Sequence, residues 1–90
     1  MQRVAADPVV VIEILSASTT RSDEDEALGQ YRRLPSLDTI VFVDPQAETT
    51  RVIQRLGFHS WRDDLFAQPH DVAVPALAMT IPHTEIFARD

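Results

Sequence analysis

The 90-residue chain is long enough for one small domain and no more. Its 44% hydrophobic and 24% charged residues are those of an ordinary soluble globular chain, which excludes a disordered tail, a collagen-like chain and a coiled coil. The absence of cysteine and lysine excludes disulfides, thiolate metal sites, cysteine nucleophiles and Schiff-base chemistry, and a formal net charge of −6 makes a poor stand-alone nucleic-acid binder.

Met1 to Ala6 reads as a frayed leader, punctuated by Asp7-Pro8. Val9 to Leu15, VVVIEIL, is short, β-branched and almost wholly apolar. Continuous apolarity of this kind predicts a central strand covered on both faces. The run is far shorter than the roughly 20 apolar residues of a membrane span, and Glu13 inside it argues against a signal peptide. The expected location is therefore cytoplasmic, with no membrane partner.

A polar loop follows, and a helix is expected from Ser22, with Ser22 as cap and Asp25 closing an approximate capping box. Asp23 to Glu26 crowd the positive end of its dipole, and Arg32 and Arg33 stand at the negative end. Ala27, Leu28, Tyr31 and Leu34 form the apolar stripe, and Pro35 ends the helix. Gly29 inside it implies close packing on a sheet.

Asp38 to Val43 reads as a second buried strand, turning through Asp44-Pro45-Gln46-Ala47 into a more polar strand, Thr49 to Leu56. The short link implies antiparallel pairing. Arg51 and Arg55 fall on one face of that strand, Val52 and Leu56 on the other. Gly57 to His70 reads as irregular, anchored by Phe58, Trp61, Leu65 and Phe66. Val72 to Val74 and Leu77 to Ile81 read as short strands split by Pro75, and His83 to Ala88 as a last helical turn.

Glu13 is the most informative residue for chemistry. An ionisable group in a buried strand is costly unless it is paired or binds a metal, although a strand end that reaches solvent accounts for it equally. The acidic run at Asp23 to Glu26 lacks the glycine and late glutamate of a calcium loop and reads as a solvated helix start. His59, His70 and His83 lack zinc-site spacing, and two glycines cannot make a phosphate-cradling loop.

The stretch from Asp7 to Pro45 resembles the Uma-two family of putative restriction endonucleases, which is similar to the PD-(D/E)XK nuclease superfamily. The resemblance rests on Glu13-Ile14-Leu15-Ser16, Ser18-Thr19, Asp23, Tyr31-Arg32-Arg33, Leu34-Pro35-Ser36-Leu37 and Val43-Asp44-Pro45, with the tail PALAMTIPHTEIF matching the family's closing segment. It implies that Glu13 is a catalytic residue and metal ligand, that the Ile14 backbone carbonyl is a second ligand, and that the ion is Mg2+ or Mn2+. The family's helix lysine falls on Ala27, and the alternative lysine position falls on Leu15. Its first catalytic aspartate lies upstream of the position of Met1, and Asp7 is not its equivalent.

The expected fold is α/β, a mixed sheet with one main helix. It is a single domain over residues 1–90, like the C-terminal half of a restriction-endonuclease-like core and lacking that core's N-terminal portion. The departures favour a truncated or degenerate member, inactive alone and with no metal of its own, acting as an association module. The alternatives are a metal-dependent DNA endonuclease complete only in a longer or assembled form, and an unrelated soluble α/β domain. A homo-oligomer is the expected assembly, with DNA a partner only if the parent is an active nuclease. Glu13 is expected to face the helix near Ala27 and Tyr31.

Overall fold

The computed structural model describes residues 8–87, so the expected leader, Asp7 and Ala88 lie outside the described residues. Strand β1 (Val10–Ile14) leads into helix α1 (Arg21–Tyr31), which returns the chain to β2 (Thr39–Asp44). Strands β3 (Thr49–Arg55) and β4 (Trp61–Phe66) complete a four-stranded sheet in the order β1-β2-β3-β4. β1 runs parallel to β2, and the other two pairings are antiparallel. The expected mixed α/β sheet with one main helix is the fold observed.

Two layers sandwich this sheet. Alternation along the strands, and on to Leu15 just past β1, sends Val11, Leu15, Ile40, Phe42 and Ile53 toward α1, where Leu28 and Leu37 complete an apolar cluster. Val10, Val41, Val43 and Val52 point the other way. There they meet Val72 and Val74 of β5 (Val72–Val74), which pairs with β6 (Met79–Ile81) around a 3-10 turn at Pro75–Leu77. Ile86 of the short helix α2 (His83–Ile86) and Phe87 also pack on that cluster.

The structure corrects several expectations. β1 is an edge strand, not a central one: among the described residues it pairs with β2 alone. Its apolar run reflects a layer on each face and says nothing about lateral neighbours. The outer layer is incomplete, leaving Ile12 42% and Ile14 61% exposed. The helix begins two residues early, because Thr20 rather than Ser22 is the cap. The Thr20 hydroxyl accepts from the Asp23 amide at 3.0 Å, and the Asp23 carboxylate accepts from the Thr20 amide at 2.9 Å. Those contacts, the backbone amide first, hold the Asp23 carboxyl below its usual range. Gly29 has no close packing to explain it, since a Cβ there would meet nothing within 4 Å.

The segment expected to be irregular contains β4. Its sequence, WRDDLF, hides a strand because no alternating apolar pattern survives Arg62, Asp63 and Asp64. The ladder to β3 and ion pairs of Arg51 with Asp63 and Arg62 with Asp64 (both 2.6 Å) supply the order instead. Leu77 belongs to the 3-10 turn rather than to β6.

Candidate active site

Glu13 lies in the second half of β1 with its side chain on the α1 face, partly buried. The Tyr31 hydroxyl, in the last turn of α1, donates to Glu13 Oε2 at 2.9 Å. The structure thus brings the expected acid and the expected helix tyrosine together, with Ala27 one turn earlier on the same face. Burial, followed by the hydrogen bond to Glu13 and its charge, pushes the Tyr31 phenol up to about 12.

The Ile14 carbonyl is placed by the sheet. Val9's carbonyl accepts from Asp38 and Thr39, and Leu15's amide donates to Val43, so odd-numbered backbone groups of β1 face β2. Strand alternation turns the amide and carbonyl of Ile14 toward the open edge. Glu13 and the Ile14 carbonyl are hard oxygen donors of the type that Mg2+ or Mn2+ prefers. As a set they do not fit such an ion. One of the two Glu13 oxygens already accepts from tyrosine, and no group of three or more His, Cys, Asp or Glu side chains that could hold a metal occurs among the described residues.

A row crosses the sheet on the α1 face: Glu13 is opposite Phe42, Phe42 opposite Arg51, and Arg51 opposite Leu65. Arg51 is the side chain that sequence reasoning missed. It is only 9% exposed, and it donates to Asp63 through Nε at 3.0 Å and through Nη2 at 2.6 Å. Its Nη1 lies 3.5 Å from Glu24 and 3.7 Å from Asp25, without a hydrogen bond. The Asp63 hydrogen bond raises the guanidinium's pKa, and the same bond from Arg51 holds the Asp63 carboxyl below its usual value. A signal existed in the sequence: the acidic run on α1 exceeds what a helix dipole needs, and a strand arginine was there to meet it.

The resulting cleft, of about 410 Å3, is lined by Arg21, Glu24, Asp44, Arg51 and Asp63 among others, but not by Glu13. Phe42 separates the two: the arginine cluster lies on one side and the Glu13–Tyr31 pair on the other. The expected helix-start acids are therefore partly structural, clamping α1 to β3. Among the histidines, His83 Nδ1 accepts from the His70 backbone amide at 3.2 Å, a structural contact.

The family model described as Uma2, putative restriction endonuclease, matches residues 1–82. The chain belongs to the Uma2 family. A solved structure similar to it is a putative nuclease of DUF820 from Anabaena variabilis ATCC 29413, with a TM-score of 0.67 and 20% sequence identity. The match covers 88% of this chain and 43% of that one, so the Uma2 chain described here spans less than half the length of that relative. At this identity the likeness establishes a shared fold. No curated protein matches the chain. No helix among the described residues is long and apolar enough to cross a membrane.

Proposed function

We propose that this Uma2 chain is a degenerate restriction-endonuclease-like domain that does not cleave DNA alone and acts as an association module. One observation carries the reading: the strand that bears Glu13 is the edge of the described sheet. A strand added on that edge could bring a second carboxylate beside Glu13, and Ile12 and Ile14 stand exposed on the same strand where the outer layer is incomplete. The same edge thus accounts for both the incomplete catalytic set and the association. Ala27, where the family carries lysine, supports the reading, since no cation reaches Glu13 from that position.

The proposed partner is a second copy of the chain. Antiparallel pairing of two β1 strands about Ile12 would use the outward backbone groups of Val10, Ile12 and Ile14 on both copies and extend each sheet. In the second reading the domain belongs to a metal-dependent endonuclease that is complete only in a longer or assembled form. The adjacency of Glu13 and the free Ile14 carbonyl on one open edge favours it, as does the length of the DUF820 relative.

The test combines assembly with activity. Sedimentation at micromolar concentration should show a dimer or higher oligomer, reduced to monomer by Ile12→Lys. Supercoiled plasmid with Mg2+ or Mn2+ should remain uncut. A monomer of the unaltered chain removes the association reading. Time-dependent nicking that disappears in Glu13→Ala replaces inactivity with the enzyme reading.

A further inference from the structure

Charge is segregated on this molecule in a way the net value of −6 conceals. Of the described arginines, Arg21, Arg51 and Arg62 are ion-paired. Arg32, Arg33 and Arg55 form no ion pair among the described residues, and all three line one cavity of about 380 Å3 with Phe58 and His59. No carboxylate lines that cavity. Arg55 donates to the carbonyls of Leu37 and Leu34 at 2.9 and 3.1 Å, and its guanidinium lies 4.2 Å from the Trp61 ring centroid. Neutral carbonyls and a ring fix its position but leave its positive charge uncompensated.

Four of the fourteen acids sit together at the far end of α1. The helix rises about 1.5 Å per residue, so Asp23 to Glu26 are roughly 10–15 Å along the axis from Arg33. The screening length at physiological salt is about 8 Å. Asp63 lies within electrostatic reach of Arg32 but is engaged by the forked bonds from Arg51, and no carboxylate lines the cavity itself, so a polyanion arriving at Arg32 and Arg33 meets a locally basic surface. A dipole role at the helix C-terminus accounts for these two arginines but not for the third, nor for Phe58. That ring stands at the β3–β4 connection 88% exposed, its edge against His59 with centroids 5.1 Å apart. An exposed ring beside unpaired arginines is the combination that holds a single strand of nucleic acid: cations track phosphates, and the ring stacks an unpaired base.

We infer that the surface formed by Arg32, Arg33, Arg55, Phe58 and His59 binds single-stranded nucleic acid, with phosphates on the arginines and a base on Phe58. Phosphodiester charge suits the unpaired arginines, and the ring's exposure suits an unstacked base rather than the paired bases of a duplex. Neither Glu13 nor Tyr31 lines this cavity, so the surface is separate from the Glu13 pair. Binding does not depend on cleavage, and the test below contains chelator and no divalent metal. Its failure would leave the proposed association and inactivity standing.

The experiment is fluorescence anisotropy of a labelled oligothymidylate about 12 nucleotides long, within the ~4–16 nucleotides that small single-strand binders cover. The unaltered protein should bind with an affinity that falls as salt rises. Arg32→Ala with Arg33→Ala should flatten the plot of log affinity against log salt by about 1.4, the value for two lost phosphate contacts on a single strand. The lysine pair at both positions should restore the slope. Phe58→Ala should weaken binding about 5- to 150-fold with the slope unchanged. These side chains are exposed, and circular dichroism verifies that the variants remain folded. Binding of oligoribonucleotide or oligodeoxynucleotide supports the inference, and the tighter of the two names the polymer. Absence of binding, tighter binding of duplex, or equal competition by polyglutamate would overturn it.

Discussion

Replacing Asp63 by Asn tests the β3–β4 ion pair that holds Arg51 in place beneath the acids of α1. Asp63 accepts a forked pair of bonds from Arg51, whose side chain is 9% exposed, while Asp63 itself is 36% exposed. Breaking a wholly buried ion pair costs about 3–5 kcal/mol, and an exposed pair contributes about 0–1. A pair with one end in each environment falls between, and Glu24 and Asp25 remain near Arg51 to limit the damage. The expected loss is about 2 kcal/mol, which lowers the melting midpoint of a domain this size by roughly 8–16 °C. Urea titration of Asp63→Asn, Arg51→Met and the double variant gives the coupling directly, with the m-value unchanged. The pH dependence has a definite sign. The folded Asp63 carboxyl titrates below its unfolded value, near 3.9. Its contribution is therefore whole above that value and is lost as pH falls through the folded one. The gap between the native chain and Asp63→Asn should close in strong acid. A coupling below about 0.5 kcal/mol at neutral pH would refute a stabilising role for the pair, because solvent at Asp63 would then cancel it.

Tyr31 is the sole tyrosine, so its phenolate absorbance reports one group, and the midpoint should lie at about 12. Its folded value exceeds its unfolded one, so the Tyr31 contribution is whole below about 10 and is lost as pH rises through 12. Glu13→Gln should lower the midpoint, and Tyr31→Phe should cost about 1 kcal/mol of stability at neutral pH; a midpoint near 10 in the folded native chain would contradict the contact. Gly29→Ala should stabilise the protein by about 1 kcal/mol, since the site is exposed, helical and open to a methyl group. An unchanged or lower urea midpoint would refute that.

The parts of the fold legible in the sequence were those whose apolar pattern reports burial. β2 and the parallel β1–α1–β2 unit carry runs long enough to show themselves, and the Pro45 turn announces the antiparallel β3. β4 was invisible because its order comes from partners, not from its own composition. The edge position of β1 was illegible for a related reason: hydrophobicity registers layers above and below a strand and is blind to its sides. At the site, Glu13 stood out as a charge in an apolar run and Tyr31 lay at the expected helix position. Arg51 did not stand out, because alternation alone cannot tell a buried charged rung from a solvated one; the deciding fact is Asp63 on a strand that was itself unseen.

The register of β1 also orders the folding of the chain. β2, β3 and β4 form a meander whose neighbours meet across tight connections, with Asp44 opposite Thr49 and Arg55 opposite Trp61. Val10 must instead find Thr39 across the whole of α1 and both of its flanking loops. Closing so long a segment costs more chain entropy than either hairpin, so the meander assembles first and β1 docks late. A strand that docks late on one neighbour is also the first to leave. Amide hydrogens of β1 should therefore exchange sooner than those of β2 and β3, so the strand that carries Glu13 opens before the two inner strands of the described sheet.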